Sequence, residues 1–197
     1  SDRDARLGDI WAVSPAGGPP TRVTQNGTVG GGVFTRQGVK DFFAGTINPN
    51  SGQLTISRVR PDGRVTQLWN RSNAFSPVIS PSGDSIVARV DQPDGTVRSM
   101  IIPAAGGEGR LILGPDDAVT LWSNDGKTMV YTTQVDGVGD IGLFDVANGT
   151  TQRLTTTPTL ESGAELTPDG KTMLMNRTSP SQRIFSVDLT GLLGGRK

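Results

Sequence analysis

The chain has 197 residues, of which 19 are basic and 19 are acidic, and it contains neither histidine nor cysteine. These residues alone therefore cannot supply a Ser-His-Asp triad, a thiolate metal site or a cysteine nucleophile. Because nucleic-acid binders neutralise phosphates with an excess of basic side chains, a net charge of zero argues against nucleic acid as the main partner. No apolar stretch approaches the roughly 18 residues that a membrane-spanning helix needs, so no transmembrane segment is predicted.

Glycine and proline account for 27 and 13 residues, which is about one residue in five. This share is well above the roughly 12 per cent of average proteins. Because β-branched and other apolar residues are spread evenly between these turn-forming residues, the composition is typical of an all-β protein and not of a disordered chain.

The first predicted element is an apolar strand followed by a Gly-rich turn and a second short strand, at residues 9–24 (DIWAVSPAGGPPTRVT). The second is a Gly-centred hairpin turn, which reads loosely as TRQGVKD at 35–41. The two elements then alternate along the chain. The strand pair recurs at 54–68, 99–113 and 140–155 and begins again at 183–191, while the hairpin recurs as SPSGDSI, SNDGKTM and TPDGKTM at 80–86, 123–129 and 167–173.

The turn glycines of the hairpin set the period of this repeat. Gly38, Gly83, Gly126 and Gly170 are separated by 45, 43 and 44 residues. Each full unit predicts four short strands, because Asn-Gly and Asp-Gly favour tight hairpin turns between short apolar runs. In the unit around Gly126 the predicted strands are 118–122, 127–133, 140–146 and 151–155.

Four strands in about 44 residues make one blade of a β-propeller, and blades are stable only when they stack face to face. We therefore predict an all-β fold, a β-propeller of four-stranded antiparallel blades with about 4.5 repeats. The predicted single domain covers 1–197, in units of approximately 1–25 (partial), 29–70, 74–113, 117–156 and 160–197. Equivalent apolar residues should pack between blades: Ile86, Val87, Met129, Val130, Met173 and Leu174 in one strand, and Ile10, Ile141 and Ile184 in another.

This pattern resembles the TolB-type propeller repeat, which reads S/T-P-x-G-K-x-I/M, then D-I-x-x-x-D, then G-G-x-x-R-L-T. The matching stretches are the three hairpins above, DIWAVS at 9–14, DIGLFDV at 140–146 and QRLTT at 152–156. The resemblance covers essentially the whole chain, and it implies a propeller that is periplasmic or extracellular in a bacterium. Similar repeats occur in the periplasmic TolB protein and in propeller domains of prolyl-oligopeptidase relatives and tricorn-like proteases. The signature residues are structural, so no catalytic residue carries over.

The chain departs from a complete TolB-type propeller at both ends. The first unit begins at its third strand, and the last has three strands followed by a poor fourth at 190–197 (TGLLGGRK). The resemblance implies that a closed ring of this type has six or more blades. We expect the chain to be part of a longer propeller. The alternatives are a small ring closed by a terminal strand and a ring completed by another chain, because open strand edges invite aggregation.

One motif resembles a nucleotide-binding site but is better explained by the repeat. DGKT at 125–128 and 169–172 matches the end of a phosphate-binding loop. That loop needs a further glycine at the positions that Leu121 and Glu165 occupy, and it must lead into a helix. The strand-like residues that follow indicate a hairpin turn instead.

Neighbouring carboxylates can serve acid–base chemistry or bind a hard cation. The candidate groups are Asp116-Asp117, the pair Asp2 and Asp4, and Asp136 with Asp140. Asp116-Asp117 lies in a predicted turn between blades, so we interpret these two acids as solvated turn residues. Asp136 and Asp140 flank a Gly-rich loop without EF-hand spacing, so we do not expect a calcium site there. We therefore predict no catalytic, cofactor-binding or metal-binding residue and no cofactor, and binding residues are left unassigned.

The remaining candidates are tryptophans and serines. Trp11, Trp69 and Trp122 lie within strand patterns, so we expect them in the core or between blades and not on an exposed ligand platform. Ser85 and Ser123 lie near glycines, but neither sits in the G-x-S-x-G turn that presents a nucleophilic serine.

The expected function is a non-enzymatic protein-binding or scaffold propeller, an accessory component of a larger assembly outside the cytoplasm. Protein partners are expected, with a membrane-associated complex among the candidates. Two alternatives stay open. One is the propeller portion of a prolyl-oligopeptidase-like serine hydrolase whose catalytic domain lies outside these residues. The other is a small-ligand or glycan-binding propeller, which is disfavoured because only 3 Trp, 1 Tyr and 6 Phe are available.

Overall fold

The computed structural model describes residues 7–25, 27–34, 38–48, 50–135, 138–178 and 183–190. All regular secondary structure in these ranges is β-strand, arranged in five antiparallel sheets that follow one another along the chain. We number the sheets I to V. Sheet I contains β1 (Trp11–Ala12) and β2 (Thr21–Arg22). Sheet II contains β3 (Val29–Phe34), β4 (Phe42–Ile47), β5 (Leu54–Val59) and β6 (Val65–Gln67).

The remaining three sheets continue the same pattern. Sheet III contains β7 (Ala74–Ile79), β8 (Ser85–Asp91), β9 (Val97–Pro103) and β10 (Arg110–Leu111). Sheet IV contains β11 (Ala118–Trp122), β12 (Thr128–Val135), β13 (Val138–Asp145) and β14 (Thr151–Arg153). Sheet V contains β15 (Glu161–Leu166), β16 (Thr172–Arg177) and β17 (Arg183–Asp188).

Every strand pairs with its sequence neighbour, so each sheet is a meander. Sheets II, III and IV have four strands, and these confirm the prediction of four-stranded antiparallel blades. In the described residues sheet I consists of the third and fourth strands of a unit, and sheet V of the first three. Residues 35–37 of the loosely matching hairpin, the acids Asp2, Asp4 and Asp136, and most of the stretch 190–197 lie outside the described residues.

The repeated hairpin is held by its own polar side chains. The Ser123 hydroxyl donates to Asp125 Oδ1 at 2.7 Å and accepts from the Thr128 amide at 3.0 Å. The Lys127 amide donates to the same Asp125 oxygen at 3.1 Å. Gly126 has a φ of 73°, a left-handed conformation that glycine adopts without a steric penalty. SNDGKTM is therefore a turn sequence and not a phosphate-binding loop.

The hairpin one period later repeats these contacts. The Thr167 hydroxyl donates to Asp169 Oδ1 at 2.6 Å and accepts from the Thr172 amide at 3.1 Å. The Lys171 amide donates to Asp169 Oδ1 at 3.1 Å. The recurrence after 44 residues thus follows from one set of turn contacts that each blade needs.

Ser123→Ala should lower the free energy of unfolding by about 1–2 kcal/mol, because the turn loses two hydrogen bonds at a buried position. Ser123→Thr is the matched control, since Thr167 fills the same place in the next blade and keeps the hydroxyl. Urea unfolding followed by fluorescence measures both variants. Equal stability of the alanine and threonine variants would show that the hydroxyl does not hold the turn.

Apolar side chains fill the space between consecutive sheets. Those between sheets III and IV include Val87, Trp122, Met129, Tyr131 and Phe144. Those between sheets IV and V include Val130, Ile141, Leu143, Ala164, Met173 and Met175. Among the described strands, the closest packing between sheets joins sheets that are adjacent in the sequence. Burial of this kind contributes roughly 25 cal/mol for each Å² of apolar surface removed from water.

Most of the predicted inter-blade residues are buried. The prediction is confirmed for Ile86, Val87, Met129, Val130, Met173, Ile10 and Ile141. It is wrong for Leu174, which is 42% exposed, and for Ile184, which is 76% exposed. Side chains alternate along a strand, and the neighbours Met173, Met175 and Phe185 pack toward sheet IV. Leu174 and Ile184 therefore lie on the opposite face of sheet V, which no other described sheet covers.

The tryptophan prediction is confirmed at two of three positions. Trp69 and Trp122 are buried, and the Trp122 indole donates to the Val78 carbonyl at 3.3 Å. Trp11 is 57% exposed, so its predicted burial is wrong. Its neighbour Ile10 packs toward sheet II, which leaves Trp11 on the face of sheet I that is turned away from sheet II. Within the described residues no helix has the length and apolarity needed to cross a membrane.

Candidate functional site

A buried carboxylate ties the third and fourth strands of sheet IV together. Asp140 accepts hydrogen bonds from the Arg153 guanidinium and, at 3.3 Å, from the Thr157 amide. The Thr155 hydroxyl accepts from the Ile141 amide at 2.9 Å and lies 3.5 Å from Asp140 Oδ1. The D-I part of the repeat therefore contacts the R-L-T part across the third and fourth strands. Asp140 therefore has a structural role here. Asp136, the other acid of this predicted pair, is outside the described residues.

Sheet I contains the same arrangement. Asp9 accepts from the Arg22 guanidinium, from the Thr24 hydroxyl at 3.0 Å and from the Gly27 amide at 3.0 Å. The Ile10 amide donates to the Thr24 hydroxyl at 2.9 Å. The bonds from the Gly27 amide and the Arg22 side chain lower the pKa of Asp9 from 3.8 to about 2.

This lowered pKa makes the stability of the fold depend on pH. A carboxyl whose pKa is lower in the folded chain stabilises the fold fully above the unfolded value, and this contribution is lost as the pH falls from about 4 to about 2. We expect Asp9→Asn to be less stable than the wild type at pH 7 and equally stable near pH 2. Urea unfolding of both proteins across this range measures the difference, and a difference that does not change with pH would contradict the assignment.

A fully buried glutamate begins β15, the first strand of sheet V. The Glu161 side chain has no exposed surface, and its Oε1 accepts from Arg177 Nε at 2.7 Å and from the Thr157 hydroxyl at 3.0 Å. Arg177 lies with its guanidinium carbon 4.4 Å from the centre of the Phe185 ring. Because the Thr157 amide also donates to Asp140, Thr157 connects the acids of sheets IV and V. Sequence analysis missed the glutamate, although it faces Arg177 directly in the strand register.

The other predicted acidic pair is part of a turn. Asp117 accepts from the Gly114 amide at 3.2 Å, and Asp116 is exposed beside it. This agrees with the interpretation as turn residues. The residues Leu121 and Glu165, which exclude a phosphate-binding loop, lie in strands β11 and β15.

The described residues form two concave surface regions, among others, that are large enough to be considered as ligand sites. One, of about 320 Å³, lies between the hairpin turns of sheets III and IV, where Ser80, Asp84, Trp122 and Asp125 are among its lining residues. Ser80 donates to Asp84 and Ser123 donates to Asp125, so these two carboxylates already stabilise their own turns. Hydroxyl donors, with Ser82 the largest contributor, lower the pKa of Asp84. The carboxylates of this region are therefore accounted for by the hairpin turns that they stabilise.

The second concave region is a groove on the uncovered face of sheet V, which we call the open face. It has a volume of about 320 Å³ and is lined by Ala164, Glu165, Leu174, Met175, Asn176 and Ile184 among others. The exposed side chains of Leu174 and Ile184 are its apolar groups, and Glu165 and Asn176 are its polar groups. Sequence analysis missed this groove. Local sequence does not distinguish this face, because Leu174 and Ile184 have the same inter-blade pattern as the buried Val130 and Ile141.

The sheets and their turn contacts define a β-propeller. No protein-family model matches the chain, and no curated protein matches it either. Solved structures do match. A TolB structure from Agrobacterium tumefaciens has a TM-score of 0.73 at 21% identity, over 88% of this chain and 63% of that one. The TolB structure from Acinetobacter baumannii has a TM-score of 0.74 at 16% identity, over 95% of this chain and 48% of that one.

The structure of an enzyme is also similar to the structure of this chain. A prolyl endopeptidase structure matches with a TM-score of 0.69 at 12% identity, over 95% of this chain and 32% of the enzyme. The chain thus spans between about half and two thirds of the length of the two TolB structures, and about a third of the endopeptidase. These likenesses establish the fold. The chain has the TolB-type β-propeller fold, which confirms the predicted resemblance and fold class.

Proposed function

We propose that the chain is a non-enzymatic, protein-binding β-propeller module. The open face carries this proposal, because Leu174 and Ile184 form an apolar surface at positions that are fully buried in the preceding sheet. Exposed apolar patches of this kind mark interaction sites in soluble proteins. The acids of the repeat support the proposal, since Asp125, Asp140 and Asp169 are all engaged in turn or strand contacts.

The proposed setting is an accessory role in a larger assembly outside the cytoplasm of a bacterium. Its support is the likeness to TolB structures and the resemblance of the repeat to exported propellers. Fractionation of the source cells, with antibodies against the chain, tests this location. Recovery with cytoplasmic markers alone would contradict it.

A pull-down from native extract tests the binding function. The immobilised chain should retain a defined protein at moderate salt, because an apolar contact is weakened little by ionic screening. Ile184→Asp should abolish retention, whereas the matched variant Leu111→Asp, at an exposed leucine of sheet III, should keep it. Equal retention by both variants, or no retained protein at any salt concentration, would contradict a binding role for the open face.

The second candidate function is the propeller portion of a serine hydrolase. The observation that favours it is the fold match to a prolyl endopeptidase. A fluorophosphonate probe, which labels activated serines, would label the natural polypeptide if it also contains a hydrolase domain. Absence of labelling would exclude this candidate.

A further inference from the structure

The turn between β13 and β14 presents an asparagine that is followed by a glycine. Asn148-Gly149 is one of two Asn-Gly pairs in the chain, and both of its residues are exposed. The side chain of such an asparagine is open to attack by the backbone nitrogen of the next residue, because glycine has no Cβ to hinder the approach. The sequence therefore places a site of self-modification at a turn that water reaches.

This modification needs no enzyme and no reactant other than water. The Gly149 nitrogen forms a bond to Cγ of Asn148 and the bond from Cγ to Nδ2 breaks. Nδ2 leaves as ammonia, which carries away the proton of the Gly149 amide, and a cyclic succinimide is left in the main chain. Water then opens the succinimide at either carbonyl and leaves aspartate or isoaspartate at position 148.

The carboxylate of Asp145 restrains the side chain that would react. Asn148 Nδ2 donates to Asp145 Oδ2 at 3.1 Å, and the Asn148 amide donates to Asp145 Oδ1 at 2.9 Å. The Ala147 amide donates to the same Oδ1 at 2.9 Å. The leaving group and the main chain that carries it are thus bound to one carboxylate, so a large rotation of the Asn148 side chain breaks the bond to Oδ2.

The attacking nitrogen is engaged as well. The Gly149 amide donates to the Asp145 carbonyl oxygen at 2.9 Å, and the Asp145 amide donates to the Thr150 carbonyl oxygen at 2.8 Å. The φ of Gly149 is 69°, a left-handed conformation that glycine holds without a steric penalty. Because attack requires the Gly149 nitrogen to leave its acceptor, the turn has to open before the reaction proceeds.

We propose that Asn148 is a latent site of succinimide formation that Asp145 keeps closed in the folded chain. Asp145 is a positioning residue, since it orients the reacting groups and takes no part in the bonds that form or break. The rate of conversion therefore follows the fraction of chains in which this turn is open. The inference is independent of the proposed binding function, because it concerns a turn of sheet IV and not the open face of sheet V.

Conversion would weaken the turn that restrains it. An aspartate at position 148 has no N–H to donate to Asp145 Oδ2, and it brings a second carboxylate beside the first. Like charges at such a short distance repel each other. Isoaspartate in addition lengthens the main chain inside a turn that the bonds between Asp145 and both Gly149 and Thr150 close. The intact amide of Asn148 is therefore part of the structure of the turn.

Mass spectrometry of the chain after incubation at neutral pH measures the conversion. Trypsin releases Asn148 in the peptide 128–153 and Asn26 in the peptide 23–36, so the two Asn-Gly pairs are followed separately. The folded wild type should convert at Asn148 at least about tenfold more slowly than the same chain unfolded in guanidinium chloride. Folded Asp145→Ala should convert at least about tenfold faster than the folded wild type, because it lacks the three side-chain bonds.

Asp188→Ala is the matched control. Asp188 ends the third strand of sheet V as Asp145 ends that of sheet IV, and its Oδ1 accepts from the Thr190 amide at 2.8 Å. Its loss should leave conversion at Asn148 at the wild-type rate. Asp145→Asn is a second variant, which keeps one side-chain oxygen for the main-chain amides but none for Asn148 Nδ2. Its rate should lie between those of the wild type and Asp145→Ala.

Three results would overturn the inference. Conversion of the folded wild type as fast as the unfolded chain would show that the turn does not restrain Asn148. Equal rates for the wild type and Asp145→Ala would show that the carboxylate is not the restraint. Equal acceleration by Asp145→Ala and Asp188→Ala would assign the effect to a general loss of stability. If urea unfolding shows Asp145→Ala to be unfolded, Asp145→Asn replaces it in these comparisons, and the comparison of folded with unfolded wild type stands without either variant.

Discussion

Arg177→Met should lower the free energy of unfolding by about 3 kcal/mol. The substitution leaves the fully buried Glu161 carboxylate with the Thr157 hydroxyl as its described donor. Removing one partner of a buried ion pair is costly, because the other charge stays out of water without compensation. For a chain of this size the loss corresponds to a decrease in Tm of about 6–12 °C. Chemical and thermal unfolding, followed by the fluorescence of the buried tryptophans, measure it.

A double-mutant cycle separates the pair from the packing of its aliphatic parts. Glu161→Leu combined with Arg177→Met replaces both charges by apolar groups and should recover most of the lost stability. Arg71→Met is the matched surface control. Arg71 pairs with Glu108, but both side chains are more than half exposed, so this loss should stay below about 1 kcal/mol. If Arg177→Met cost no more than Arg71→Met, the pair at Glu161 would not contribute to the stability of sheet V.

The fold could be predicted because each blade repeats a turn that is determined locally. Ser123, Asp125 and Gly126 determine the hairpin through bonds within six residues, so the sequence pattern is sufficient to identify it. The D-I and R-L-T landmarks are similarly explained by the contact of Asp140 with Arg153. Alternation of side chains along strands then assigns the faces, and most predicted inter-blade residues are buried as a result.

The candidate site could not be predicted in the same way. Whether a blade face is buried depends on the next sheet, so Leu174 and Ile184 have the inter-blade pattern but not the burial. The Glu161–Arg177 pair depends on the register of two strands across a bulge at Gly163, where φ is 59°. Neither a neighbouring sheet nor a register that shifts at a bulge is encoded by the local spacing of residues. The exposed positions, at which the repeat pattern and the structure disagree, are also those that carry the proposed function.

Gly142→Ala should destabilise the chain by about 2–3 kcal/mol, because sheet IV has no space for a side chain at this position. Gly142 lies directly opposite Tyr131 in the strand register. A Cβ on Gly142 would stand 2.4 Å from Cζ of Tyr131 and 2.6 Å from its hydroxyl oxygen. The ring cannot easily move away, since Tyr131 is buried in the cluster that contains Trp122 and Phe144. Burial also raises the pKa of Tyr131 above 10, so the phenol stays neutral throughout the measurement.

A smaller residue at position 131 tests whether the clash between the Tyr131 ring and a Cβ at position 142 causes the loss of stability. Tyr131→Leu alone should destabilise the core, but in combination with Gly142→Ala the total loss should be smaller than the sum of the two single losses. Gly8→Ala is the control for the substitution itself, because a Cβ there meets no atom within 4 Å, and the change should stay within about 0.5 kcal/mol. Additive losses of unfolding free energy at Gly142 and Tyr131 would show that the Tyr131 ring does not limit the space at position 142. In that case close packing between β12 and β13 would not explain the glycine at this position.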